Sequence, residues 1–241
     1  RAGLMAALMA RHGYTASPKA LEAPRGMIQT ISTKCDWREI NHELGQRFEI
    51  SFNSYKPFAC GIVVHPSIDA CVQLRQQGIT PEQVARLDLR VHSLVLELTG
   101  KKEPKDGLQG KFSVYHGCAV GLIYGRAGED EYHDAVVNDP RVVATRAKVN
   151  AIVDDSINEE SVHVTAVLND GRQIVVEVQH AIGSLQNPLS DAQLEGKFTA
   201  LVEPVLGATR AAEITGLCRS FGTVADVRTL TALCRAAGEA P

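Results

Sequence analysis

A few basic and aromatic side chains in the middle of the 241-residue chain have the chemistry to bind and protonate a small anion. Lys56 precedes a proline after a stretch in which polar and apolar residues alternate, and its ammonium group could bind a carboxylate and stabilise charge that builds up on it. His116 lies in an apolar run beside Tyr115, where an imidazole could donate or accept a proton near neutral pH. The alternative interpretations are a solvated loop lysine and a histidine that is hydrogen-bonded in the core.

Weaker candidates lie close to these residues in the sequence. Lys111 precedes Tyr115 by about one helical turn, so that it either shares the same helix face or simply begins the helix. His65 stands at the start of a predicted helix, where its ring either binds substrate or hydrogen-bonds locally. Cys60 could be a nucleophile near a helix start, but packing explains it better. Strand or loop placement explains four further histidines, which are His92, His133, His163 and His180.

The composition argues against several classes of protein. The formal net charge is -3 and there is no long basic stripe, which argues against a nucleic-acid binder. No run approaches the roughly 20 apolar residues that span a bilayer. The six cysteines form no CxxC pair, so their spacing supports no zinc or iron–sulfur site, and we expect them to be buried in a reducing cytoplasm. We therefore expect a cytoplasmic protein that uses no metal and no cofactor.

Periodicity and turn residues predict the elements that must position these side chains. The predicted helices are 1–11, a short one within 35–44, 65–77, a short one that Thr80 and Pro81 begin, 111–124, one that Pro140 opens, 190–205 and 210–237. The predicted strands are 47–52, 87–98, 148–154, 161–168 and 173–179. Asn169-Asp170-Gly171 predicts a hairpin between the last two strands. This order indicates an α+β fold in which helical segments at both ends flank a mixed middle with a small antiparallel sheet.

The amino-terminal segment reads as the middle of a buried helix. Residues 1–9 are rich in alanine, leucine and methionine, carry no polar helix cap, and lack the basic region of a signal peptide. Because the apolar residues run nearly all round such a helix, it should be covered on most sides. We therefore expect a truncated or processed helical domain before it.

Four segments, in order along the chain, resemble the MmgE/PrpD family. They are Tyr55–Ala70, which contains Lys-Pro-Phe-Ala-Cys-Gly and a His-Pro helix start; Gly110–Val120, which contains Lys-Phe-Ser; Asp134–Val142; and His180–Asp191 with the following Lys197-Phe198. No single motif would suffice, but the ordered set is similar to this family and covers nearly the whole chain. Members of the family are appreciably longer than this chain.

The resemblance implies an architecture of an all-helical domain and an α+β lid. It places the end of the helical domain and its connection at residues 1–49, the lid at 50–190, and the returning carboxyl-terminal helices at 191–241. The family's active site lies between the two domains, with much of its acid–base set in the part that precedes this chain. The resemblance also implies a homodimer.

The resemblance further implies a lyase that acts on a small di- or tricarboxylate without a metal. The leading expectation is a 2-methylcitrate dehydratase-like reaction, in which a proton alpha to a carboxylate is removed and water is lost. Lys56 and His116 would be catalytic, with Lys56, His65, Lys111 and Tyr115 binding substrate.

Two alternatives remain open within the family, an epimerase of the iminodisuccinate type and a cis-aconitate decarboxylase. Family decarboxylases carry a histidine close to the position of Gly61, which favours the epimerase slightly over the decarboxylase. An alternative from another class is a non-catalytic lid or interaction fragment.

Overall fold

The computed structural model describes residues 1–236. They divide into two compact units, Arg1–Phe52 and a second that begins at Asn53. The α+β class is confirmed, with helices at both ends and a small sheet in the second unit. Among the described residues, no helix combines the length and the apolar character that crossing a bilayer requires. The three-part division at residues 49 and 190 stays a prediction.

The first unit is helical. It contains the helices α1 (Ala2–Arg11) and α2 (Met27–Ile31) and two 3₁₀ turns, Trp37–Asn41 and Glu49–Phe52. The helix predicted at 1–11 is therefore confirmed, and the apolar side chains of Leu4 and Met5 are exposed.

The strand predicted at 47–52 is wrong. Local contacts hold this segment in a turn, because the Arg47 guanidinium pairs with Glu49 at 3.0 Å and lies over the Phe52 ring, 4.8 Å from its centroid. An alternating pattern makes a strand only where another strand is available to pair with it.

The core of the second unit is a close pair of helices, α3 (His65–Gln76) and α6 (Val114–Tyr124), which agree with the predicted 65–77 and 111–124. Their approach depends on glycines of α6. A Cβ atom at Gly117 would lie 2.8 Å from Cγ1 of Val64, and one at Gly121 would lie 3.1 Å from the carbonyl oxygen of Ile68. Gly125 ends α6 in the left-handed conformation, with φ 70°.

The sheet has four strands, β1 (Val84–Val91), β2 (Val149–Val153), β3 (Val162–Leu168) and β4 (Gln173–Val178), in the order β2-β1-β3-β4. The hairpin at Asn169–Gly171 is confirmed, because β3 and β4 pair antiparallel and Gly171 has φ 85°. The expectation of an antiparallel sheet is wrong in one respect. Strand β1 pairs with β2 in parallel, so the sheet is mixed.

The parallel pair needs a long crossover, which four short helices and α6 supply. The short helices are α4 (Ser93–Thr99), α5 (Gly107–Gly110), α7 (Asp134–Val137) and α8 (Pro140–Arg146). The helix predicted after Asn138 is thus confirmed as α8, with Asp139 as its cap.

Two predictions on either side of β1 are wrong. Thr80 and Pro81 form a turn and begin no helix, and the strand predicted at 87–98 starts earlier and ends at Val91. Residues after it turn into α4, because Nδ1 of His92 accepts a hydrogen bond from the backbone N–H of Leu94 at 3.2 Å. A histidine is an unusual helix cap, so this start carried little signal.

The carboxyl-terminal segment forms α9 (Asp191–Leu206), α10 (Ala208–Arg219) and α11 (Arg228–Leu233). Helix α9 opens with a capping box between Ser190 and Gln193, as its sequence predicts. The continuous helix predicted at 210–237 is wrong, because a 3₁₀ turn at Phe221–Thr223 interrupts it; its last residue, Ala237, lies outside the described residues.

Candidate active site

A cleft of about 730 Å³ opens in the second unit beside the α3–α6 pair. We call it the Lys56 cleft. It is lined by residues 56–61, by residues 125–131, by Leu108, Lys111 and Phe112, and by Lys197, Ala200 and Leu201 of α9. Aromatic and aliphatic side chains alternate with charged groups along this wall, as in many small-molecule sites.

A glycine in an unusual conformation holds the Lys56 segment in place. Gly183 has φ 91°, and its carbonyl accepts a hydrogen bond from the backbone N–H of Tyr55 at 2.8 Å. A Cβ atom at this position would lie 2.1 Å from the carbonyl oxygen of Tyr55. Only glycine permits both the backbone conformation and this approach, so Gly183 determines where the cleft begins.

Three further hydrogen bonds connect the walls of the cleft. Nζ of Lys197 donates to the carbonyl of Lys56 at 2.7 Å. The N–H of Ala59 donates to the carbonyl of Ala127 at 2.9 Å, and the N–H of Gly61 donates to the carbonyl of Lys111 at 3.1 Å. Backbone contacts therefore bring segments that are far apart in sequence to one surface.

The charged groups of the cleft are unequally paired. Nζ of Lys111 lies 2.7 Å from Glu129, and Nε of Arg126 lies 2.7 Å from the buried carboxylate of Glu131. In contrast, Lys56 and Lys197 have no carboxylate within 4 Å among residues 1–236, and Nζ of Lys56 donates only to the carbonyl of Cys60 at 3.0 Å. The two ammonium groups leave the cleft able to attract an anion.

The two predicted histidines lie in the core. His116 is fully buried, with Nε2 at 2.9 Å from the carbonyl oxygen of Glu131, and His65 is 3% exposed with its ring edge-on to Phe58. Burial lowers the pKa of each imidazole to about 4, so that both are neutral at pH 7. Neither ring lines the cleft, although His116 contacts the backbone of a residue that does.

Of the five predicted site residues, the structure brings together Lys56 and Lys111. Tyr115 is buried on another side of α6, where its ring lies 5.7 Å from Nζ of Lys102, and it does not line the Lys56 cleft. His65 and His116 stand behind the cleft wall. The structure therefore separates the predicted residues into two that face the cleft and three that support the fold or face elsewhere.

The structure also adds residues that the sequence did not single out as site residues. Arg126, Glu131 and Lys197 all line the cleft. The available signal was the charged run that follows Gly125, a left-handed helix end after an apolar helix. The buried carboxylate of Glu131 accepts hydrogen bonds from the guanidinium of Arg126 and from the backbone N–H of Gly128, the latter at 2.8 Å. The spacing of these residues in the sequence does not by itself predict such contacts.

The cleft contains one thiol, which is unsuited to attack. Burial raises the pKa of Cys60 to about 11, so the thiol stays protonated at neutral pH and serves packing. Within the described residues, no three His, Cys, Asp or Glu side chains gather as a metal site would require.

Comparison with known proteins places the residues of this cleft, apart from Lys56 and Pro57, within a recognised domain. The model of the MmgE/PrpD C-terminal domain matches residues 58–220. The 2-methylcitrate dehydratase of Escherichia coli (strain K12) is 26% identical over 161 residues, which cover 64% of this chain and 33% of that protein. The cis-aconitate decarboxylase of Aspergillus terreus is 24% identical over 258 residues, which cover 97% of this chain and 52% of that protein. The chain thus spans about half or less of the length of these relatives.

Proposed function

Because the chain belongs to the MmgE/PrpD family, we propose that it contributes the carboxylate-binding wall of a lyase active on small di- or tricarboxylates. The reaction proposed is that of a 2-methylcitrate dehydratase, in which a proton alpha to a carboxylate is removed and water is lost. The observation that carries the proposal is that the ammonium groups of Lys56 and Lys197 lie in one cleft beside apolar side chains and have no carboxylate partner within residues 1–236.

The cations would act on the charge that develops during the reaction. Removal of a proton alpha to a carboxylate moves negative charge onto the carboxylate oxygens of an enolate-like transition state. An ammonium group held at the cleft wall stabilises that charge more than it stabilises the ground state, provided that water is partly excluded. The apolar surfaces of Phe58, Phe112 and Leu201 would exclude it.

The proposal assigns proton abstraction to residues outside this chain. Both buried histidines are neutral but lie behind the cleft wall, and the carboxylates of Glu129 and Glu131 are paired with cations. Since the matched relatives are two to three times as long as the region they share with this chain, the full-length protein has room for the base. The described part of the chain would supply binding and charge stabilisation.

A second candidate is cis-aconitate decarboxylation, which the match to the Aspergillus terreus protein over 97% of this chain favours. It would need the same carboxylate-binding wall, but carbon dioxide would leave in place of water. Gly61 argues against assigning the catalytic residues of the decarboxylases to the matching positions of this chain. A Cβ atom there would lie 3.2 Å from Cγ2 of Thr99, so a larger side chain would displace that threonine.

The test is to incubate the full-length protein separately with 2-methylcitrate, citrate, cis-aconitate and iminodisuccinate. Mass spectrometry of the products distinguishes loss of water from loss of carbon dioxide, and chiral separation detects epimerisation. We expect dehydration of 2-methylcitrate. Turnover of cis-aconitate alone would replace the dehydratase with the decarboxylase, and no turnover of any of the four would support a non-catalytic lid or interaction role.

A further inference from the structure

A second cleft, of about 530 Å³, lies beside a different part of α6 and shares no lining residue with the Lys56 cleft. We call it the Arg146 cleft. Its polar side chains are Lys102, Glu103, Lys105, Tyr115, Asn138 and Arg146. Of the five predicted site residues, Tyr115 alone lines this cleft.

The guanidinium of Arg146 is the central feature of this cleft. The residue is 8% exposed and ends α8, and its Nη1 donates to the carbonyl of Val137 at 3.1 Å. No carboxylate of the described residues lies within 4 Å of it. Burial lowers the pKa of Arg146, and the more distant carboxylate of Glu103 opposes this only in part. A charged group that is taken out of water is costly unless it is paired, so one carbonyl contact and one distant carboxylate leave part of this charge uncompensated.

The remaining donors of Arg146 are open to the cleft. Within residues 1–236, Nη1 is the one nitrogen of the Arg146 side chain that has a hydrogen bond. The other two nitrogens have no such partner, and neither is completely shielded from solvent. The other N–H groups are therefore reachable from the cleft that the residue lines. A guanidinium presents its donors in a planar fork that matches the two oxygens of a carboxylate or a phosphate.

Neighbouring groups add to the positive potential. Nζ of Lys102 lies 5.7 Å from the ring centroid of Tyr115 and has no carboxylate within 4 Å in the described part of the chain. Lys105 pairs with Glu103 at 3.5 Å, and both side chains are exposed. The lining of the cleft therefore carries three positive side chains, Lys102, Lys105 and Arg146, and one negative one, Glu103. The hydroxyl group of Tyr115 is likewise not completely shielded from solvent, so it is available as a donor.

From this arrangement we propose that the Arg146 cleft is a binding site for a small oxyanion, a carboxylate or a phosphate. The two oxygens of the anion face the fork of Arg146, Lys102 supplies a second positive charge, and the Tyr115 hydroxyl donates a third contact. Bound in this way, the anion compensates the charge that folding buries at Arg146. The proposal is independent of the reaction at the Lys56 cleft.

The test is isothermal titration calorimetry of the full-length protein with inorganic phosphate and, separately, with acetate, at constant ionic strength. The stronger of the two identifies the class of anion. We expect Lys102→Ala to weaken binding about fivefold, because it removes one exposed positive charge from the lining of the cleft. Lys101→Ala is the matched control, since Lys101 is the adjacent exposed lysine and does not line the cleft. It should leave the affinity within about twofold.

Variants of the buried residues separate binding from folding. Arg146→Lys keeps the charge but removes the fork, and we expect it to lose most of the affinity while the circular dichroism spectrum is unchanged. Tyr115→Phe should weaken binding less than Lys102→Ala does. If Lys111→Ala abolishes binding and Lys102→Ala does not, the anion occupies the Lys56 cleft and the proposal is overturned. Absence of heat with both anions overturns it as well.

Discussion

The α3–α6 helix pair and the Lys56 cleft beside it are built from the same sequence segments, but polar side chains are buried in the helix pair and accessible to solvent in the cleft. In the helix pair, His65 and His116 are buried and neutral at pH 7. At the cleft, Lys56 and Lys111 keep their ammonium groups at the surface. A family motif therefore contains buried framework residues and cleft-lining residues side by side, and similarity of sequence alone does not separate them.

The largest effect is expected where the framework meets the cleft. Gly183→Ala should lower the free energy of unfolding by about 3 kcal/mol, because the new Cβ meets the Tyr55 carbonyl oxygen in addition to the strained φ. Gly171→Ala is the matched control, since Gly171 also has a positive φ but has no atom within 4 Å of an added Cβ. It should cost about 1 kcal/mol. Urea denaturation measures both, and equal losses would show that contact with Tyr55 has no part in the effect.

The buried histidines predict a pH dependence of stability. Their folded pKa of about 4 lies below the ordinary 6.5, so the unfolded chain binds more protons between these values. Stability is therefore complete above pH 6.5 and falls as the pH drops toward 4. Between pH 7 and pH 5 each histidine should remove about 2 kcal/mol from the free energy of unfolding.

Two variants isolate this effect in urea denaturation at pH 7 and pH 5. His116→Gln keeps a neutral donor near the Glu131 carbonyl. It should reduce the change in the free energy of unfolding between pH 7 and pH 5 by about 2 kcal/mol, the contribution of one histidine. His133→Gln should leave it unchanged, because the side chain of His133 is 71% exposed. A pH dependence that His116→Gln does not alter would contradict burial of a neutral imidazole.

At the Lys56 cleft, Lys56→Ala should lower turnover of the preferred carboxylate substrate by about tenfold or more, because it removes charge stabilisation from the transition state. The free energy of unfolding should change little, since the side chain is exposed. Lys101→Ala, which removes an exposed lysine that lines neither cleft, is the control. Steady-state kinetics that match the wild type for Lys56→Ala would remove Lys56 from the site.

The smallest effect is expected at the ion pair between Lys111 and Glu129. Glu129→Gln should change the free energy of unfolding by less than about 1 kcal/mol, because both side chains are partly exposed. The KM for the carboxylate substrate should fall about twofold, since Lys111 no longer has a competing carboxylate. Glu82→Gln breaks a comparable exposed pair with Arg141 and should leave KM unchanged. A higher KM for Glu129→Gln would show that Glu129 positions Lys111 rather than competes for it.

The sequence predicts the fold best where its determinants are local. The β3–β4 hairpin follows from Asn169-Asp170-Gly171, and α9 follows from a capping box at Ser190. The parallel pairing of β1 with β2 was missed because it depends on a crossover of residues 92–148, and no local pattern records which strands meet across such a distance. The start of α4 was missed because a histidine caps it.

The candidate site divides in the same way. Lys56 and Lys111 were predicted because they belong to recognisable motifs, and both face the cleft. His116 and Tyr115 belong to the same motif as Lys111, but the rotation of α6 turns one into the core and the other toward the Arg146 cleft. Which way a helix faces depends on its packing partner, here α3, and an apolar helix with no polar face does not reveal that direction.

The hydrogen bond from Lys197 to the carbonyl of Lys56 joins residues that are 141 positions apart in the sequence, so it can form only late in the synthesis of the chain. A chain that leaves the ribosome from its amino terminus releases Lys56 long before α9. The α3–α6 core and the sheet can pack first, but the wall that Lys197 and Leu201 supply arrives only with the last helices. The nascent second unit therefore passes through a stage in which its helix pair and sheet are complete and the wall of the Lys56 cleft is not.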